Sequence, residues 1–242
     1  MSGIPAAMLM LNTSDWHPDK RTMNYPRFDD VAQAVEQTVD VAIAEKVDLY
    51  AFNGDLCDPD AGPIVLRCAG LAVRASARLS SHGIQSVWVA GNHDVFEDGS
   101  GLTSLNPLHG MPGIVTVAER PTLFEEFGMN ILCLPYSAVS HAYDPEEWAR
   151  KALEGSPAPK VLVLAHLHVK GIVPGEETRE MGRGRELWFP REVFRGKEDR
   201  VAMFNGHYHA GGIHDGIVIP GSLARFTFGE ESSKPSFLLV EL

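Results

Sequence analysis

Three short apolar segments in the N-terminal part of the chain each end in a cluster of polar residues. The segments are 6–12, 49–52 and 86–90, and the clusters that follow them read TSD, NGD and GNHD. A short apolar run that stops at polar residues is typical of a buried β-strand. Between these runs, apolar residues recur at helical spacing over 28–45 and 63–81. Alternating strands and helices predict an α/β fold with crossover helices.

The three polar clusters are expected to lie close together in space. Each one stands at the carboxyl end of a predicted strand, and the ligands of open α/β sheets collect at that end. The strand pattern therefore predicts a functional site at this edge of the sheet.

The second half of the chain predicts a different arrangement. Residues 99–120 contain several glycines and prolines and predict a loop, whereas 122–124 and 131–134 predict a hairpin. A short helix is expected over 145–153. Further strands, mostly linked by hairpins, are expected over 161–165, 201–205, 213–219 and 237–240. We therefore predict two packed mixed sheets with helices outside, forming one domain over residues 1–242.

Composition restricts the class of protein. The chain has 242 residues, of which 44% are hydrophobic and 22% charged, as in an ordinary globular domain. The net charge of −11 argues against a protein that grips nucleic acid with its whole surface, although a local basic patch stays compatible with it. No apolar run could span a membrane, and the N-terminus lacks the features of a signal peptide, so a cytoplasmic location is predicted.

Two pairs of residues place metal-binding side chains next to each other. Asp15 and His17, like His207 and His209, are two positions apart and follow an apolar run. Residues two apart in an extended segment point to the same side of the chain. A carboxylate paired with imidazole suits Mn, Fe or Zn better than Mg or Ca.

Asp55 and Asn92 each follow a glycine at the end of a predicted strand. His166 directly follows the apolar strand predicted over 161–165. A glycine lets the backbone turn sharply and approach a bound ion closely. Each of these signals alone also fits an ordinary loop or a solvated surface. Five such clusters at the ends of apolar strands together predict a metal centre.

In this order, the motifs resemble those of the calcineurin-like metallophosphoesterase superfamily. The matching residues are Asp15-x-His17, Gly54-Asp55-x-x-Asp58, Gly91-Asn92-His93-Asp94, His166 and Gly206-His207-x-His209. Segments 13–17, 164–169 and 220–242 are further similar to the SbcD family of DNA repair nucleases. The resemblance implies a four-layer sandwich of two mixed sheets between helices. It also implies a two-metal-dependent phosphodiester hydrolase, in the first place an SbcD-like DNA nuclease acting as an exonuclease or endonuclease.

The resemblance assigns a role to each residue of the motifs. It implies that Asp55 bridges two divalent ions, in the first place Mn, with Fe or Zn as alternatives. One ion would be held by Asp15, His17 and His209, and the other by Asn92, His166 and His207. His93 would protonate the leaving oxygen or hold it in place, and Asp94 would orient His93 or brace its loop.

The resemblance also implies partners. DNA is the expected substrate, and an ATPase partner and a homodimer are further expectations. SbcD-like nucleases carry a capping domain and an ATPase-binding segment after the phosphoesterase domain, and neither is evident in this sequence. The alternative prediction is therefore a small-molecule phosphoesterase that acts on a cyclic nucleotide or a phosphomonoester.

Several residues have two interpretations on sequence alone. Asp58 is a turn residue or a site residue, and His168 is an alternative to His166 as a ligand. Trp16 and Tyr208 would stack on a base or pack around the site. Residues 178–197 would form a phosphate-binding loop or a solvated one, and their basic members are Arg179, Arg183, Arg185, Arg191, Arg195 and Lys197.

Overall fold

The structure is a computed structural model, and it describes residues 7–58, 61–96, 100–113, 115–137, 142–155, 157–172 and 187–242. All seven predicted metal-binding residues, together with His93 and Asp94, lie in these ranges. Arg179, Arg183 and Arg185 lie outside the described residues, so the prediction of a basic loop over 178–197 is tested for its second half only.

Thirteen strands and four α-helices are found in the described residues. Their order is β1 (Leu9–Thr13), β2 (Arg21–Thr22), β3 (Tyr25–Pro26), α1 (Phe28–Glu45), β4 (Leu49–Asn53), α2 (Ile64–Ser81), β5 (Gln85–Val89), β6 (Val115–Ala118), β7 (Thr122–Glu126), β8 (Met129–Leu134), α3 (Pro145–Ala152), β9 (Val161–Ala165), α4 (Arg191–Phe194), β10 (Val201–Asn205), β11 (Gly212–His214), β12 (Ile217–Ile219) and β13 (Leu238–Glu241). None of the described helices is both long and apolar enough to cross a membrane.

The helix boundaries follow from local sequence. In α1, the apolar residues at helical spacing are buried, and the helix ends where Lys46 adopts a left-handed conformation and donates its N–H to the carbonyls of Ala42 and Ile43. In α3, Pro145 occupies the first turn, and the carboxylate of Asp144 accepts a hydrogen bond from the N–H of Glu146 at 2.8 Å.

The strands form two main sheets. In the first sheet the order is β13-β1-β4-β5-β6, with β1, β4, β5 and β6 parallel and β13 antiparallel to β1. In the second sheet the order is β11-β12-β10-β9-β8-β7, with parallel pairs from β12 to β8 and an antiparallel strand at each edge. Both sheets are mixed, as predicted.

Apolar side chains alternate between the two faces of the first sheet. Met10 and Ala51 point to the second sheet, where they meet Leu164 and Phe204 in one apolar layer. The neighbouring residue Leu11 faces the other way, in the core that α1 and α2 complete. The outer face of the second sheet is covered by α3 and α4. Strand side chains alternate with period two, so each sheet presents apolar side chains on both faces. One face of each sheet packs on the other sheet and the opposite face packs on helices, which produces four layers: helices, sheet, sheet and helices. The predicted fold class is confirmed, whereas one domain over 1–242 stays a prediction.

Three predicted elements were wrong in detail. The expected loop 99–120 contains β6, a short edge strand that pairs with β5. The expected strand 213–219 is two strands, because Asp215 and Gly216 adopt positive φ angles of 52° and 85° and form a turn. The strands β8, β9, β10 and β12 pair in parallel, so hairpins are fewer than predicted.

Candidate metal centre

The predicted metal-binding residues meet where the carboxyl ends of both sheets come together. Asp15, Asp55 and Asn92 follow β1, β4 and β5 of the first sheet. His166 follows β9 of the second sheet, and His207 and His209 follow β10. All of these side chains are buried. Strands that end at the same edge deliver their following loops to the same place, and here two sheets share that place.

The carboxylate of Asp55 faces two histidines with its two oxygens. Its Oδ2 lies 3.4 Å from Nε2 of His17, and its Oδ1 lies 3.4 Å from Nε2 of His166. A carboxylate in this position can bind one cation with each oxygen.

On one side of Asp55 lies a first group, formed by Asp15, His17 and His209. Each residue offers one potential ligand atom, and these three atoms lie within 4.8 Å of one another. The ring centroids of His17 and His209 are 5.1 Å apart. One carboxylate and two imidazoles that converge in this way could hold a single divalent ion.

On the other side lies a second group, formed by Asn92, His166 and His207. The Oδ1 of Asn92 lies 3.0 Å from Nε2 of His166 and 2.8 Å from Nδ1 of His207. Asp15, Asp55 and His166 also lie within 4.8 Å of one another, so Asp15 stands near both groups.

Several polar atoms of these groups are unsatisfied. Among the described residues, Oδ2 of Asp15 and Nε2 of His207 are buried without a hydrogen-bond partner. Burial raises the pKa of Asp15 and holds the pKa of His17 and of His207 well below the usual range. Neutral imidazoles at His17 and His207 and a buried carboxylate at Asp15 fit a divalent cation. His166 differs, because the charge and hydrogen bond of Asp55 outweigh burial and raise the pKa of His166 to about 9.

The backbone at the candidate ligands is strained. Four of the candidate ligands have φ angles in the left-handed region. They are Asp15 at 52°, His17 at 42°, Asp55 at 64° and His207 at 80°. Such angles cost on the order of 1–3 kcal/mol each outside glycine. Hydrogen bonds between the loops hold this geometry: the N–H of Asp15 donates to the carbonyl of Gly54 at 2.9 Å, and the N–H of His207 donates to Oδ1 of Asp15 at 3.1 Å.

Glycines let the loops approach this closely. A Cβ on Gly206 would lie 2.0 Å from the carbonyl oxygen of Asn53, and one on Gly91 would lie 2.2 Å from Oδ1 of Asp55. The expectation that Gly54 and Gly91 permit close approach therefore has a structural basis, and Gly206 has the same role.

A family model described as calcineurin-like phosphoesterase matches residues 8–211. The chain belongs to the calcineurin-like phosphoesterase family. The matched range includes both groups and Asp55, so the resemblance that the motifs indicated is confirmed at this level. The phosphoesterase family uses divalent metal ions, and this chain has candidate groups to bind them.

Two curated relatives of this phosphoesterase are DNA double-strand break repair proteins Mre11. The protein from Sulfurisphaera tokodaii is 37% identical over 86 residues, and the one from Sulfolobus acidocaldarius is 36% identical over 88 residues. The alignments cover 35% and 36% of this chain and 22% of each relative. The phosphoesterase therefore matches less than a quarter of the length of these relatives.

Two solved structures share the phosphoesterase fold. A dimetal phosphatase from Danio rerio has a TM-score of 0.58 at 15% identity, covering 97% of this chain and 92% of that chain. A purple acid phosphatase from seeds of yellow lupin (Lupinus luteus) has a TM-score of 0.55 at 13% identity, covering 89% and 41%. At these identities the likeness shows the fold alone.

Asp94 braces the loops of this phosphoesterase. Its carboxylate accepts hydrogen bonds from the N–H groups of Asp55 and Leu56 at 2.9 Å, from the N–H of Gly91 at 2.7 Å and from the hydroxyl of Ser104. Burial and the nearby charge of Asp55 raise the pKa of Asp94 to about 7. All four partners are donors, which favours the ionised form. Of its two predicted roles, the geometry favours the brace.

We expect Asp94→Asn to destabilise the phosphoesterase by about 3 kcal/mol, because the amide NH₂ would face N–H donors and leave them unsatisfied. For a chain of this size that corresponds to a fall in Tm of roughly 6–12 °C. Thermal unfolding with a chelator present measures the effect without a contribution from metal. Ser104→Ala removes one of the four hydrogen bonds and is expected to cost about 1 kcal/mol. A Tm of Asp94→Asn equal to that of the wild type would contradict the brace.

His93 and Lys20 line a cavity over the candidate metal centre. The cavity is bounded by His17, Lys20, Asp55, Asn92, His93, His207 and His209. His93 is half-buried, and its ring centroid lies 5.0 Å from that of His17. Lys20 was not predicted as a site residue from the sequence, although a basic residue three positions after His17 could have indicated a role close to the site.

The structure distinguishes most of the open alternatives. His166, not His168, contacts Asp55 and Asn92, while the ring of His168 packs on that of His207 at 4.3 Å. The carbonyl of Asp58 accepts a hydrogen bond from the N–H of Ala61 at 3.1 Å, as in a turn.

Trp16 and Tyr208 pack around the site. Trp16 is fully buried, and its ring centroid lies 4.8 Å from that of Phe52. The hydroxyl of Tyr208 accepts a hydrogen bond from the N–H of Val169 at 2.8 Å.

In the described part of the basic segment, the basic side chains interact with nearby protein groups. Arg191 pairs with Asp215 at 2.5 Å, and Arg195 pairs with Glu192 at 2.6 Å. The ammonium of Lys197 donates to the carbonyl of Val193 at 2.9 Å. This half of the segment fits the solvated alternative.

Proposed function

We propose that this phosphoesterase is a two-metal-dependent phosphodiester hydrolase. One ion would be held by the first group (Asp15, His17 and His209) and the other by the second group (Asn92, His166 and His207), with Asp55 as the ligand that the two groups would share. The observation that carries this proposal is the position of Asp55, whose two oxygens each lie 3.4 Å from a histidine of a different group.

The donor set indicates which ions fit. Carboxylate, imidazole and amide donors together favour Mn, with Fe or Zn as alternatives. Two such ions, when bound, neutralise the charge of the phosphate and stabilise the attacking and leaving oxygens. Apart from binding the ions, the chain holds the donors in place through the strained loops and the Asp94 brace, and it excludes water from all but the cavity.

We propose that His93 protonates the leaving oxygen or holds it in place. Its ring lines the cavity and is not among the candidate ligands, so it is free to face a bound phosphate. Its backbone N–H donates to Oδ1 of Asp55 at 2.8 Å, which fixes the ring next to the shared carboxylate. Lys20 adds a positive charge to the same wall and suits the phosphate oxygens.

His93→Ala is expected to lower kcat by about 10²–10⁴-fold, the usual contribution of a positioned general acid or base. Metal content, measured by elemental analysis, should stay equal to that of the wild type because the ligand side chains are unchanged. His82→Ala replaces an exposed histidine at the end of α2 and serves as the control with unchanged rate. Loss of metal in His93→Ala, or an unchanged kcat, would contradict the assignment.

We propose a nucleic-acid phosphodiester, DNA in the first place, as the substrate. The alignments with the two Mre11 proteins support this over about a third of the chain. The hairpin of β2 and β3, which begins just after Lys20, exposes Arg21 and Tyr25. Basic and aromatic side chains close to a catalytic cavity suit the backbone and bases of a single strand.

The hairpin is tied to a second exposed segment next to the metal centre. The hydroxyl of Thr22 donates to the carbonyl of Phe226 at 3.0 Å, and the ring centroid of Phe226 lies 5.8 Å from that of His17. On either side of Phe226, the side chains of Arg225 and Phe228 are exposed. We infer that a polynucleotide end reaches the cavity along the surface formed by the β2–β3 hairpin and residues 225–228.

A small-molecule phosphoesterase is the second candidate function. The cavity over the candidate metal centre is small, and a small phosphoester needs no extended binding surface around it. The net charge of −11 also opposes wide contact with nucleic acid.

One hydrolysis experiment in Mn²⁺ distinguishes the candidates. It compares single- and double-stranded DNA, cyclic nucleotides, phosphomonoesters and an aryl phosphodiester under the same conditions. Cleavage of DNA supports the nuclease. Fast turnover of a cyclic nucleotide or monoester with intact DNA favours the second candidate, and hydrolysis of none of them would contradict the proposed activity altogether.

A further inference from the structure

Glu230 contacts His209 inside the protein. Its Oε1 lies 2.5 Å from Nδ1 of His209, and both side chains are 5% exposed. Glu230 belongs to a short 3₁₀ helix, Phe228–Glu230, that lies outside the residues matched by the family model. A glutamate this deeply buried needs a structural or functional reason, because carboxylates are seldom fully buried without partners.

Three hydrogen bonds hold the Glu230 side chain in one position. While Oε1 meets His209, Oε2 accepts hydrogen bonds from the N–H of Thr227 at 2.8 Å and from the N–H of Phe226. Both carboxylate oxygens are therefore engaged, and the side chain is anchored to its own loop. The ring of Phe226 packs on that of His209 with 5.6 Å between centroids and closes the same wall.

This contact decides which nitrogen of His209 carries hydrogen. An ionised carboxylate only accepts hydrogen bonds, so Nδ1 of His209 is the donor. In a neutral imidazole the other nitrogen, Nε2, then carries no hydrogen and offers the lone pair that a cation requires. The contact also fixes the rotation of the ring, whose centroid lies 5.1 Å from that of His17.

We propose that Glu230 is a positioning residue that sets the tautomer and orientation of His209 and thereby the affinity of the first group for its ion. This rests on the proposed function only in taking His209 as a ligand. A carboxylate that supports a metal-binding histidine typically changes metal affinity by about 10–100-fold when it is removed.

The decisive variant is Glu230→Gln. Its amide oxygen can still accept from the N–H groups of Phe226 and Thr227, while its NH₂ turns to His209 as a donor. Nδ1 would then have to accept, hydrogen would move to Nε2, and the ring could not bind an ion in place. Glu231→Gln makes the same chemical change at an exposed neighbouring residue and is the matched control.

Metal binding is measured without substrate, by calorimetric titration of Mn²⁺ and by the absorption of Co²⁺, on the full chain. We expect Glu230→Gln to bind one of two ions about 10–100-fold more weakly. The affinity for the other ion and the Co²⁺ spectrum of that ion should be nearly unchanged. The Tm of the metal-free protein should also stay nearly the same. Glu230→Asp, which keeps a carboxylate, should recover part of the lost affinity, and Glu231→Gln should match the wild type.

Two results would overturn the proposal. One is equal binding of both ions by Glu230→Gln and the wild type. The other is a large fall in the Tm of the metal-free variant with both ions weakened alike, which would make Glu230 a purely structural residue. If the wild-type chain itself binds fewer than two ions, the proposed two-metal function fails instead, and the two failures are thus told apart.

Discussion

Asp55→Asn is expected to reduce hydrolysis by on the order of 10³-fold or more and to lower the metal content from two ions per chain. The asparagine oxygen can still accept the hydrogen bond from the N–H of His93, so the loop should keep its shape. The amide nitrogen cannot bind a cation, however, and one of the two positions held by the carboxylate is lost. The effect is therefore on the metal centre and not on the fold.

Asp55→Asn is compared with Asp29→Asn, which removes a carboxylate that is 93% exposed on α1 and contacts only Arg67 among the ion pairs of the described residues. Metal content by elemental analysis and turnover of an aryl phosphodiester are measured on both variants. Asp29→Asn should match the wild type. Two retained ions together with a rate within tenfold of the wild type in Asp55→Asn would show that Asp55 does not bridge.

The second large effect is expected from Gly206→Ala. The added methyl group would stand 2.0 Å from the carbonyl oxygen of Asn53 and 2.8 Å from Nδ1 of His166. The first contact is with backbone at the end of β4, which cannot move without shifting Asp55. We expect a loss of about 3 kcal/mol, at the upper end for an inserted methyl, and a fall in Tm of roughly 6–12 °C. Metal binding should weaken in the same variant.

The matched control for this variant is Gly110→Ala. A methyl group there meets nothing within 4 Å, and Gly110, like Gly206, does not have a positive φ. The same substitution without the collision should change stability by less than about 1 kcal/mol. Equal melting temperatures for the two variants would show that the loops around the metal centre relax more easily than their packing suggests.

Sequence alone predicted the elements that carry strong periodicity. The helix over 28–45 agrees with α1, and the apolar runs before Asp15, Asp55 and Asn92 are the parallel strands of the first sheet. These segments are long or strongly apolar, so the local pattern and the tertiary packing favour the same structure.

Weak local signals explain what was missed in the fold. The four residues of β6 follow Pro112 and Gly113, and they form a strand because β5 offers a free edge. No local pattern reports such an edge. The same holds for the parallel pairing of β9 and β10, which depends on where distant strands pack.

The candidate site was predictable only where ligand-type residues occur in motifs. Asp15, His17, Asp55 and His166 stand at strand ends and converge as expected. Glu230 lies 21 residues after His209, inside the segment 220–242 that resembles the SbcD family, but neither that resemblance nor a single glutamate in a polar segment indicated a role for it. Its contact exists because the chain folds back over the metal centre after β12.

The use of both sheets to build one centre has a consequence for how the protein matures. The N–H of His207 meets Asp15 across 192 positions of sequence, and Asp55 faces His166 across 111 positions. Neither half of the polypeptide holds a full donor set, and contacts of such long range slow folding because long loops must be closed to form them. If the centre binds two ions as proposed, the second ion can bind only after the two halves have come together, and a partly synthesised chain would lack the activity. Bound ions in turn favour the docked state by mass action, so chelation should make the whole molecule easier to unfold.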